Sequence, residues 1–293
     1  MIAVTVFVLK ASIALSVFAI GLKATFSDAT FLFRRPARLA RALLSMSVLM
    51  PLFALALVLL FDLHPAVEIA LVAISVSPIP PIFPNKALKA GGAEPYTIGL
   101  MVASCTLAVI VIPVAMEIFE RVTGFPLTMR ARTVAWTVLT SVFIPLVIGM
   151  AVRALATAFA DRLAKPMALI ALVLLILSAL PVLVGMARPM WSLIGDGTLL
   201  SLAVFAFVGL AVGHLLGGPV SSDRSVLALA SATRHPAVAL GIAHANFPNQ
   251  KLAAPAVFLY LIVSGVLSAL YLKWEKRHEI SHAAAETSRT VKA

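Results

Sequence analysis

Two cations stand inside runs of residues that are otherwise as apolar as hydrocarbon. Arg234 lies between Thr233 and His235-Pro236 in the run 223–246, and Lys86 follows Pro84 and Asn85 in the run 66–92. A charge held at mid-membrane costs about 3 kcal/mol or more unless it is paired or hydrated, so two of them need a reason. A guanidinium and an ammonium there could hold a carboxylate or a sulfonate, helped by the N–H donors and partial positive charge of a helix N-terminus. His235 could titrate near neutral pH and link such binding to protons, or its cationic neighbour could keep it neutral. The candidate substrate-binding set is therefore Pro81, Pro84, Asn85, Lys86, Thr233, Arg234 and His235. Three of these also have a purely structural reading: Lys86 reaching out to the interface, Arg234 tying down free carbonyls, His235 ending a helix.

What must position these groups is a pair of interrupted helices. Pro78, Pro80, Pro81 and Pro84 each lack a backbone N–H and clash with the preceding turn, so the run from Pro65 stops near Ser77 and a short helix restarts after Pro84. The two pieces, with roughly 14 and 9 residues, rise about 21 Å and 13 Å, each short of a 30 Å hydrocarbon core. Arg234, His235 and Pro236 interrupt the run 223–246 in the same way. Backbone groups freed at mid-depth survive only when buried in protein or facing water, a combination that marks transport pathways.

The composition agrees with a membrane protein: 61% of the 293 residues are hydrophobic, 12% are charged, and the mean hydropathy is +1.06. The net charge of +11 comes from cations at the ends of apolar runs rather than in one patch, which argues against a nucleic-acid partner. Cys105 is the single cysteine, so neither an intrachain disulfide nor a multi-cysteine metal site is available.

Hydropathy and punctuation predict nine spans at 2–22, 39–61, 66–92, 96–119, 132–153, 165–187, 197–216, 223–246 and 252–274. The first reads as retained rather than cleaved, and Lys10 within it either snorkels or lines a cavity. Residues 275–293, polar and rich in Ala, Glu, Ser and His, read as a disordered cytoplasmic tail. With the N-terminus outside, sixteen of the 23 lysines and arginines fall in inner loops and five in outer ones, so the chain is expected N-out and C-in, in the cell (inner) membrane. The order of spans repeats: repeat one is 1–119 and repeat two 131–274, the latter opened by an extra helix and therefore inverted. The fold class expected is an all-α polytopic membrane protein with inverted repeats and two crossing discontinuous helices. The triplet Phe83-Pro84-Asn85 recurs as Phe247-Pro248-Asn249, and at the level of sequence this reads as coincidence.

Gly21 to Asp28 closing the first span, Ser77-Pro78 opening a proline-broken helix, Asn85 beyond it, Lys89-Ala90-Gly91-Gly92 ending it and a second break followed by an Ala-rich helix resemble the bile acid:sodium symporter family in its nine-span form. That resemblance implies a core domain in which the broken helices cross and a panel domain against which it moves. It assigns spans 39–119 and 197–246 to the core, and the first, fifth, sixth and ninth spans in or near the panel. It also implies carriage of an organic anion such as a bile acid, pantothenate or another carboxylate, often driven by sodium. Sodium-coupled members tend to have Pro-Gly-Gly and Ser-Asn at the first break and Glu-x-x-x-Gln at the second. Here Asn85 is kept without its serine, and Ser231-Ala232-Thr233-Arg234-His235 replaces the acidic and amide ligands. A sodium site needs several oxygens, preferably with a carboxylate, so Lys86 and Arg234 are expected to supply the positive charge instead. Asn85, Thr97, Ser104 and Ser231 are the candidates for any ion that remains, against a simple packing role for small polar residues.

No cofactor is expected, and the coupling ion is Na+, H+ or neither. The partners expected are a small organic anion and the lipid bilayer. The chain has no HExxH, no Gly-x-Ser-x-Gly and no paired intramembrane Asp, so an intramembrane enzyme is disfavoured. A carrier competes instead with a channel and with a receptor that binds an organic anion without moving it.

Overall fold

The computed structural model describes residues 2–124 and 131–290, with side chains described within 7–124 and 132–277. Arg130 and Lys292, which entered the orientation argument, lie outside those residues. The described chain is helical throughout: α1 (Ile2–Gly21), α2 (Phe26–Ala29), α3 (Pro36–Leu43), α4 (Met50–Leu60), α5 (Pro65–Val76), α6 (Phe83–Lys89), α7 (Glu94–Thr123), α8 (Ala131–Val138), α9 (Ile144–Leu155), α10 (Thr157–Ser192), α11 (Thr198–Leu216), α12 (Ser221–Ala232), α13 (Pro236–Asn246) and α14 (Ala253–Thr290). Seven helical stretches are long and apolar enough to cross a membrane, and Phe7–Gly21 and Pro65–Val76 are shorter apolar helices.

Both interruptions follow from the residue before a proline being driven out of the helical region. Ser77, ahead of Pro78, is extended at φ −68°, ψ 144° and ends α5. At the second, Thr233 at φ −110°, ψ 121° ends α12, and His235 at φ −74°, ψ 104° precedes Pro236, the first residue of α13. After the first break the chain resumes as α6 at Phe83, one residue before Pro84, because proline is tolerated in a first turn.

Two features lie beyond what spacing predicts. A π turn over Leu44–Leu49 joins α3 to α4, and another over Leu139–Phe143 joins α8 to α9. Each leads into a proline, Pro51 or Pro145, whose missing N–H and ring disturb the ordinary i to i−4 ladder, and a wider turn accommodates this.

Packing divides the helices. α1 lies against α9 and α10, and Gly21 meets Gly149 so closely that a Cβ on Gly21 would come within 2.5 Å of the Leu146 carbonyl oxygen. Around the broken helices, α11 packs on α12, α13 on α5, and α6 on α7. The last helix departs from expectation twice. α14 packs on α11 and α5 and also on α13 and α10, so the ninth span, expected in or near the panel, touches the broken helices as well as the sixth span. It also runs to Thr290, so the segment after Trp274, read from sequence as disordered, is helical that far. Between Trp274 and Thr290 there is neither glycine nor proline, and Ala, Glu, Lys and Arg favour continuing the helix.

The exterior suits hydrocarbon. Only 11% of the apolar window of α10 is buried, and Leu169, Leu172, Val173, Ile176 and Leu180 face outward. At the end of the bundle where α3 and α12 begin, Arg38 pairs with the almost buried Asp223 at 2.8 Å.

Candidate functional site

The two breaks touch. The backbone N–H of His235 donates to the carbonyl of Pro78 at 2.9 Å, so the extended residues between α12 and α13 lie against those between α5 and α6. Neither helix could make this bond unbroken, because the carbonyl and the N–H would both be spent on their own ladders.

Arg234 is 2% exposed at this junction and has no carboxylate partner among the described residues. Its Nη1 donates to the Ser77 carbonyl at 3.2 Å and its Nη2 to the Met46 carbonyl at 3.0 Å. One guanidinium therefore clamps the end of α5 and the π turn of Leu44–Leu49. Its Nε has no partner among the described residues. Beside it, His235 is 2% exposed, and among the described residues neither its ring nitrogens nor the buried hydroxyl of Thr233 has a partner. Buried polar atoms are hydrogen-bonded in the great majority of cases, so three adjacent residues with open donors or acceptors among the described residues set this junction apart.

The neighbourhood is otherwise stitched to the backbone. Ser104 Oγ accepts from the Ile79 N–H at 3.0 Å, and the Cys105 thiol points at the Ile79 carbonyl at 3.8 Å. Ser231 and Ser45 share a hydrogen bond at 2.7 Å, and the Tyr260 hydroxyl donates to the Ala232 carbonyl at 2.7 Å. Tyr260 and the Met46 carbonyl are parts of the junction that spacing does not reveal. Tyr260 sits about two turns inside α14 and looks like any interior aromatic, and Met46 contributes only backbone.

Of the sequence-derived substrate set, Thr233, Arg234 and His235 come together at the junction. Pro81 and Pro84 are buried, the first in the turn after the break and the second in the first turn of α6. Asn85 and Lys86 are half-buried on α6, which packs on α7 and α12, and no hydrogen bond among the described residues joins either to Arg234. The ion candidates are engaged at different neighbours: Ser104 with Ile79, Ser231 with Ser45, and Thr97 beside Gly92, where its hydroxyl is unpartnered. Ser75, Ser77 and Thr106 bond back to carbonyls of their own helices, as packing residues do.

The repeated triplet also acquires a location. Phe247, Pro248 and Asn249 line a cavity of about 570 Å³ with Val58, Pro65, Glu68, Ile69, Val72, Thr123, Asn246 and Gln250, at the face where α5 begins and α13 ends.

Two comparisons with known proteins complete the description. The family model of the Sodium Bile acid symporter family matches residues 11–191. No curated protein matches the chain.

Proposed function

Because the chain belongs to the sodium bile acid symporter family, a family of membrane transporters, we propose that it is a secondary carrier of a small organic anion, working by alternating access, that holds its substrate on a fixed cation. In this reading nine spans form two inverted repeats, the N-terminus is outside and the C-terminus inside, and the breaks of α5–α6 and α12–α13 form the substrate site.

The observation that carries the proposal is Arg234: a buried guanidinium without a carboxylate, coordinated by two carbonyls from separate helical elements. Backbone carbonyls converging on one positive charge are what a bound alkali cation would also gather. Arg234 then does permanently what an ion does transiently. Its uncompensated charge, with the open Nε, the His235 ring and the Thr233 hydroxyl, favours a carboxylate or sulfonate. α13 starts next to these groups at Pro236, and the free N–H groups of its first turn carry partial positive charge. Lys86, half-buried on α6, contributes longer-range attraction along the approach.

Counterflow in proteoliposomes tests this. Purified protein loaded with unlabelled carboxylates or sulfonates should take up the labelled compound faster than empty vesicles, as a carrier does and a channel does not. A thermal-shift screen of the same compounds, with and without sodium, identifies which to use. Normal uptake by well-expressed Arg234→Ala or Arg234→Gln protein would remove the guanidinium from the site.

A further inference from the structure

The cavity between the start of α5 and the end of α13 has a chemistry opposite to that of the junction. Glu68 is the only residue carrying a formal charge among the described lining residues, and Asn246, whose Nδ2 donates to the Ile242 carbonyl, Asn249 and Gln250 bring amides from α13 and the following loop. Phe247 supplies an aromatic surface, and Val58, Ile69, Val72 and Pro248 supply apolar walls. Glu68 enters no salt bridge among the described residues, and the charged or titratable groups closest to it electrostatically are Asp62 and His64. Favourable interaction with the N-terminal dipole of α5 accounts for an acid in that helix's first turn. It does not account for three amides and an aromatic ring converging on the same hollow from another part of the chain.

We propose that this cavity is a binding site for an organic ammonium with a small apolar body. A carboxylate, an aromatic ring and amide oxygens around a half-enclosed apolar hollow are the groups that recognise an ammonium. A volume of about 570 Å³ is that of a small-molecule site rather than of a bare ion. An organic anion is disfavoured here by Glu68 and by the absence of Lys or Arg among the described lining residues. The site is separate from the one proposed for the transported anion: Val72, its deepest lining residue along α5, is five residues before Ser77, about 8 Å along the helix.

Isothermal titration of the detergent-solubilised full chain with hexan-1-ammonium, against hexanoate, tests the assignment without requiring transport. Saturable binding of the ammonium and not of hexanoate at this site is expected, weakened about tenfold or more in Glu68→Gln, which loses a charge-assisted contact. Ile69→Trp, which fills the hollow and leaves Glu68 in place, should abolish it. Absence of saturable ammonium binding, or binding unchanged in both variants, overturns the site. Because the readout is ammonium binding in detergent, failure of the organic-anion proposal would show in counterflow and leave this result standing.

Discussion

The N–H of His235 bonds to the carbonyl of Pro78, and through that one contact two breaks 157 positions apart, as Ser77 and Arg234 are numbered, become a single structural unit. Arg234 reinforces the unit by reaching Ser77 and Met46 together. A fork that spans two carbonyls is not replaceable by a point charge. Arg234→Lys is therefore expected to lower organic-anion uptake about tenfold or more despite keeping the charge, measured as initial rates in proteoliposomes with protein content matched. Uptake equal to the unsubstituted protein would mean that charge alone matters and the clamp does not.

Sodium should be dispensable. With Arg234 occupying the cation's role, uptake in sodium medium and in choline medium should agree within about twofold, since no ion has to be bound before the substrate. A steep sodium dependence would contradict the fixed-charge reading.

Tyr260 can be tested without touching its ring, which lies 5.7 Å from that of Phe205 between centroids. Tyr260→Phe removes only the hydrogen bond to the Ala232 carbonyl at the end of α12. Intramembrane hydrogen bonds are worth about 0.5–2 kcal/mol, so a loss of that size in unfolding free energy is expected. No change in a reversible denaturation experiment would show that the freed carbonyl finds another donor.

Gly21 and Gly149 set how closely α1 approaches α9. A Cβ on Gly21 would come within 2.5 Å of the Leu146 carbonyl oxygen and 3.0 Å of the Gly149 Cα, both backbone and unable to swing aside. Gly21→Ala should cost about 1–3 kcal/mol through overpacking. Gly185, inside α10 with open space around it, is the internal comparison. Gly185→Ala should be neutral or stabilising by up to about 1 kcal/mol, because it adds helix propensity without a clash. Thermal denaturation of both variants in one detergent checks the pair.

The interruptions at Ser77-Pro78 and His235-Pro236 were legible because proline acts on its immediate predecessor, whatever the rest of the fold does. Arg234 was legible as an anomaly, since a guanidinium in the middle of an apolar run breaks its pattern. Its partners were not. The carbonyls it holds belong to every residue alike, and nothing in the identity of Met46 or Ser77 distinguishes them as acceptors. Asn85 and Lys86 follow the first break as closely as Arg234 sits in the second, yet α6 turns toward α7 and α12, and sequence proximity did not become contact with Arg234. That Phe247, Pro248 and Asn249 line a cavity was not legible, because the residues that complete it, Glu68 and Thr123, come from distant parts of the chain.

By itself the sequence determined that this is a helical membrane protein, where two of its helices stop, and which side chains carry charge into its interior. Each of those is a local property, set by hydropathy, by proline's missing N–H and by residue type. The tertiary structure alone decided that the two breaks meet, that one guanidinium holds both Ser77 and the π turn, that the last helix joins the broken ones, and that a hollow with a single acid opens beside them. Those are relations between residues far apart along the chain, and packing rather than local preference sets them.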